Sequence, residues 1–76
     1  MTHVNVHAEL SERTRKLVTE RGMKISQLSH DSGLSVGTIS GLLRGQHANL
    51  RIGNVWALAG ALNVDPFWLM GHDGDK

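Results

Sequence analysis

Apolar residues recur at helical spacings, at Leu10, Leu17 and Val18, at Ile25 and Leu28, and at Ile39, Leu42 and Leu43. No stretch alternates strictly between apolar and polar, as a half-buried strand does. The pattern predicts an all-α domain, and its punctuation divides it into five helices. The first covers about residues 8–21 and stops at Gly22, a residue suited to the left-handed conformation that closes a helix. The second covers 25–32 and stops at Gly33; its cap position falls on Lys24, a poor capping residue, with Ser26 and Gln27 left to satisfy part of the first turn. The third starts after Ser35, a good cap, and runs from Val36 to Arg44 before Gly45. The fourth runs from about Arg51 to Leu62, with Asn49 as its cap, a stripe of Ile52, Val55, Leu58, Ala59 and Leu62, and Asn63 as its left-handed end. The fifth takes Asp65 as cap and Pro66 at its first position, where a missing amide costs nothing, and ends at Gly71. The chain reads as one small domain with its core in residues 8–71 and loose polar termini.

Glycines stand at every fourth position from Gly33 to Gly45. Gly33 and Gly45 bound the third helix, but Gly37 and Gly41 lie inside it, each at about 1 kcal/mol relative to alanine. With Ile39, Leu42 and Leu43 turned to the core and Thr38 at their edge, the outward face is Val36, Gly37, Ser40, Gly41 and Arg44. The opposite arrangement leaves three large apolar residues in water. The helix therefore presents a small, nearly smooth face with one cation at its end, suited to close approach of a rigid surface.

Composition excludes several classes. The 76 residues include no cysteine, so neither disulfides nor thiolate metal sites are available, and the cytoplasm is the expected compartment. No apolar run approaches a membrane span, and the first residues lack a signal-peptide pattern. The net charge of +1 is not the strongly basic balance that by itself points to nucleic acid, although Arg44, His47 and Arg51 make the middle of the chain its basic part. His3 and His7 have helical ligand spacing, but His30, His47 and His72 fall on separate elements, so no metal site is expected. No nucleophile and base can be paired and no phosphate-cradling loop is present, so neither an enzyme nor a cofactor is expected.

The stretch ISQLSHDSGLSVGTISGLLRG, residues 25–45, resembles the helix-turn-helix of the phage repressor and Cro type, the XRE family. A helix ending in glycine (Gly33) is followed by an apolar residue (Leu34), a cap (Ser35), two variable positions, Thr38-Ile39-Ser40 and a closing Gly45. The resemblance extends over residues 9–71, through an alanine-rich fourth helix and a fifth helix containing Trp68-Leu69. It implies a compact five-helix, lambda-repressor-like fold whose third helix enters the major groove of double-stranded DNA.

On that basis Val36, Gly37, Thr38, Ser40 and Gly41 are expected at base edges, with Val36 able to pack on a thymine methyl. Gln27, Arg44, Gln46, His47, Asn49 and Arg51 are expected along phosphates. Gly41→Glu is expected to abolish binding with the fold intact. The sequence departs from the family at Ile25, where members usually carry a phosphate-contacting glutamine. It departs again at Val18 and Leu43, where many members carry a buried Arg–Glu pair. An apolar pair replaces both partners together, which is commonly neutral or stabilising, and predicts that Val18 touches Leu43. Trp56 and Phe67 are expected to be partly exposed and to form a homodimer contact. The implied function is a sequence-specific, operator-binding transcriptional regulator, a repressor of a palindromic site, encoded by a bacterium, phage or plasmid, with no membrane or small-molecule effector. The alternative is a helical module, such as an antitoxin component, that binds a protein partner.

Overall fold

The computed structural model describes residues 6–46 and 51–74. Five helices follow in order: α1 (Val6–Arg21), α2 (Ile25–Ser32), α3 (Val36–Leu43), α4 (Ile52–Leu62) and α5 (Pro66–Leu69). No described residue lies in a strand, as the helical periodicity predicts. Several boundaries differ from expectation, among them the end of α5, which stops at Leu69 with Met70 as its cap. α1 starts at Val6, which puts Glu9 in the first turn at the favourable end of the helix dipole. Arg44 is the C-cap of α3 and not its last residue. α4 is capped at Arg51, in extended backbone, with the Arg51 carbonyl accepting from the amides of Asn54 and Val55; the cap is thus not Asn49, which lies outside the described residues.

Among the described residues, ten apolar side chains form the core, drawn from every helix: Leu10 and Leu17 of α1, Leu28 of α2, Ile39 and Leu42 of α3, Val55, Leu58, Ala59 and Leu62 of α4, and Leu69 of α5. α2 packs on α3 and α4, and α1 packs on α3 and α5, so the helix-turn-helix is braced from both sides. Val18 and Leu43 are both half-buried against this core. Removing about 25 cal/mol of hydration free energy per Å² of apolar surface is the main stabilising term.

Arginines of α1 satisfy the carbonyl ends of other helices. Arg21 donates to the Leu62 carbonyl at the end of α4. Arg13 donates to the Trp68 carbonyl at 2.8 Å, pairs with Glu9 at 3.2 Å, and holds its guanidinium carbon 4.8 Å from the centroid of the Trp68 ring. Cations at helix C-termini complement both the unpaired carbonyls and the dipole. Trp68 is half-buried against the core, and Arg13 lies over its ring.

One buried polar atom in α1 has no hydrogen-bond partner, the Thr14 hydroxyl. A desolvated, unpaired hydroxyl costs roughly 1–3 kcal/mol. Thr14→Val keeps the shape and removes that oxygen, and is expected to raise stability by about 1 kcal/mol. The check is a higher urea midpoint at unchanged slope.

Candidate nucleic-acid interface

The angle between α2 and α3 is set by three residues and two serines. Gly33 turns the chain with φ 76°, and its amide donates to the Ser29 carbonyl at 2.9 Å. Both backbone groups of Leu34 are tied to side chains of α2: its amide donates to Ser32 Oγ at 3.2 Å, and its carbonyl accepts from Ser29 Oγ. The Leu34 side chain packs on the core. Ser35 then caps α3, accepting from the Thr38 amide at 3.1 Å while the two hydroxyls pair at 2.8 Å. Sequence reasoning found Gly33, Leu34 and Ser35 but missed Ser29 and Ser32; their signal was two hydroxyls in the last turn of α2, within reach of the turn that follows.

α3 turns Ile39 and Leu42 inward, with Leu43 half-buried beside them. Outward, Val36 is 51 % exposed, Gly37 and Thr38 are exposed, and Ser40 is half-buried. Arg44 is exposed and donates to Ser40 Oγ at 2.9 Å, so the cation lies back along the helix face.

Gly41 departs from expectation, because it is buried. After α3 the chain folds back: the Gly45 amide donates to the Leu42 carbonyl at 3.0 Å and the Gln46 amide to the Gly41 carbonyl at 2.7 Å, with Gly45 at φ 79°. A Cβ at Gly41 would stand 2.9 Å from the Gln46 carbonyl oxygen. Gly41 is therefore required by the fold, which removes the base-edge role expected of it and the expectation that Gly41→Glu leaves the fold intact. At Gly37 a Cβ would meet only Ser35 Oγ, at 4.0 Å. Alanine is thus expected to have opposite effects at the two sites. Gly37→Ala should gain up to about 1 kcal/mol of helix propensity. Gly41→Ala gains the same term but displaces backbone, an overpacking cost of about 1–3 kcal/mol, and should be net destabilising. Thermal melts of the two variants check the contrast.

The C-terminal end of α3 is tied to α1 by side chains that sequence reasoning left unassigned. Buried Ser11 donates to the Leu42 carbonyl at 2.7 Å, and Arg15 donates to the Leu43 carbonyl at 3.1 Å and to Ser11 Oγ at 3.2 Å. Where relatives are expected to join these helices by an Arg–Glu pair, this chain joins them by an arginine on a backbone carbonyl.

Gln27 is exposed on the first turn of α2, Gln46 is exposed after α3, and Arg51 is exposed at the start of α4. His47 and Asn49 lie outside the described residues. The cap of α2, Lys24, has no side-chain hydrogen bond to the first turn, and neither has Arg51 at α4. Two helices thus start with a cation at the cap position and no side-chain cap, an arrangement that favours anions.

On the far side of α4, Ile52 and Trp56 are 63 % and 44 % exposed, and Phe67 of α5, 57 % exposed, meets Trp56 edge to face with centroids 5.3 Å apart. No group of three or more metal-ligating side chains is placed together among the described residues. No described helix is long and apolar enough to cross a membrane.

Five helices with this turn and this exposed third helix define a helix-turn-helix protein. A helix-turn-helix family model matches residues 15–69, and the chain belongs to that family, the phage repressor and Cro type. It is a DNA-binding transcription regulator. Among solved structures it is similar to an arginine-to-alanine mutant of the restriction-modification controller protein C.Esp1396I. The TM-score is 0.74 at 25% identity, covering 90% of this chain and 93% of that one. Among curated proteins none matches the chain.

Proposed function

We propose that the chain binds a palindromic operator as a homodimer and represses by occupying the promoter. One observation carries the reading. Gly37 stands in the first turn of α3 on its exposed face, where residues with a side chain are better helix formers and no described neighbour would clash with a Cβ, so its purpose lies in what approaches α3 from outside. A helix laid in the major groove is such an approach. Val36, Gly37, Thr38 and Ser40 face the base edges, while Arg44, Gln27, Gln46, Arg51 and Lys24 follow the phosphates, with His47 and Asn49 in the segment between α3 and α4. Likeness to a controller protein over 93% of that chain supports a regulatory role.

The second copy meets the patch of Ile52, Trp56 and Phe67. Gly53 and Gly60 lie exposed on α4 with open space where a Cβ would stand, which lets two such faces come close. A two-fold arrangement then spaces the recognition helices about one DNA turn, roughly 34 Å, apart.

Titration of duplex DNA at several salt concentrations tests the reading. Affinity should fall linearly with salt on a logarithmic plot, and Arg44→Ala should weaken every sequence and lower the slope by about one. Affinity that is independent of salt, or undetectable at low salt, contradicts it.

A further inference from the structure

The side chains at the start of α3 differ in how much of their chemistry is free. The Ser35 and Thr38 hydroxyls hold each other at 2.8 Å while Ser35 Oγ also caps the helix, and Ser40 Oγ holds Arg44. No amide, carboxylate or cationic side chain stands among residues 35–38. The large side chain that faces outward is Val36, half-exposed, and beside it Gly37 leaves an open notch through which the helix backbone can approach a surface. An isopropyl group set against a base-pair donor or acceptor leaves that group desolvated and unpaired, which lowers affinity. The one apolar feature of the major groove is the C5-methyl group of thymine, which cytosine acquires on methylation.

We infer that the first turn of α3 reads a pyrimidine C5-methyl group, of thymine or 5-methylcytosine, through the Val36 side chain. The inference rests on the operator-binding reading above and deepens it: specificity at one base pair of each half-site comes from an apolar contact, and cytosine methylation there strengthens binding.

The probes are duplexes selected by the protein from a random-sequence pool, titrated by fluorescence anisotropy with each half-site thymine replaced in turn by uracil, which removes only the methyl. One thymine per half-site should lose about fourfold in affinity on that change, the factor for burying one methyl-sized group. Val36→Ala, at an exposed position and with an unchanged melt, should lose a similar factor and bind the uracil duplex as well as the thymine duplex. Cytosine at that position should bind more weakly than 5-methylcytosine; equal weak binding overturns the methylation part of the inference and assigns the contact to thymine alone. The inference is overturned if no uracil replacement matters, or if its effect persists undiminished in Val36→Ala. Failure to select any duplex overturns the operator-binding reading itself, and this inference with it, whereas uracil-insensitive binding to a selected site overturns this inference alone.

Discussion

Gly37→Glu is expected to reduce specific DNA binding by at least about 100-fold while leaving the protein folded, because like charges brought together at an interface cost several kcal/mol. A Cβ at this position meets only Ser35 Oγ among the described residues, at 4.0 Å, so the new side chain is accommodated without a clash. Glutamate is also a better helix former than glycine, and a carboxylate in the first turn is favoured by the dipole, so the melt should be unchanged or higher. In the major groove the same carboxylate stands between two phosphate strands. Thermal melting and anisotropy titration of one preparation separate the two effects. A folded variant that binds within threefold of the parent removes α3 from the groove.

Ile39→Ala is expected to have the largest effect on stability. Ile39 is fully buried on the inward side of α3, the helix that packs on α1 and α2. Truncating such a residue costs about 2–5 kcal/mol, and a chain of 76 residues has a total of about 4–11 kcal/mol at the usual stability per residue. The variant should therefore lose a large share of its stability, seen as a lower urea midpoint. Unlike Gly37→Glu it retains the outward face, so excess operator should recover the fold, by about 2.7 kcal/mol at 100 times the dissociation constant. A cost below about 0.5 kcal/mol would show that α3 is not anchored through Ile39.

The helices and several of their caps were legible because their determinants are local. Asp65 and Ser35 cap because a short acceptor reaches an amide two or three residues on, and Asn63 takes the left-handed conformation at φ 56° as a residue closing a helix should. The inward side of α3 followed from Ile39, Leu42 and the 3.6-residue period. Gly41 was misread because angular position on a helix says nothing about chain that folds back over it. By period Gly41 lies on the outward side, and the chain at Gly45 and Gln46 folds back over it. Arg15 on the Leu43 carbonyl, Ser29 and Ser32 on Leu34, and Arg13 over Trp68 were likewise out of reach, since each joins a side chain to backbone or ring of another segment whose placement depends on the whole packing. Lys24 and Arg51 show the reverse case, in which a poor local choice for a cap is consistent with a surface that favours phosphate.

Whether the outward face of α3 selects a DNA sequence is read by selecting bound duplexes from a random-sequence pool at about 0.15 M salt, where non-specific binding is weak. The parent protein should enrich an inverted repeat with half-sites about one helical turn apart, and Gly37→Glu should enrich none. No enrichment from folded parent protein would contradict selection by α3 and leave the exposed surfaces of α3 and α4 to a protein partner, as in an antitoxin-type module.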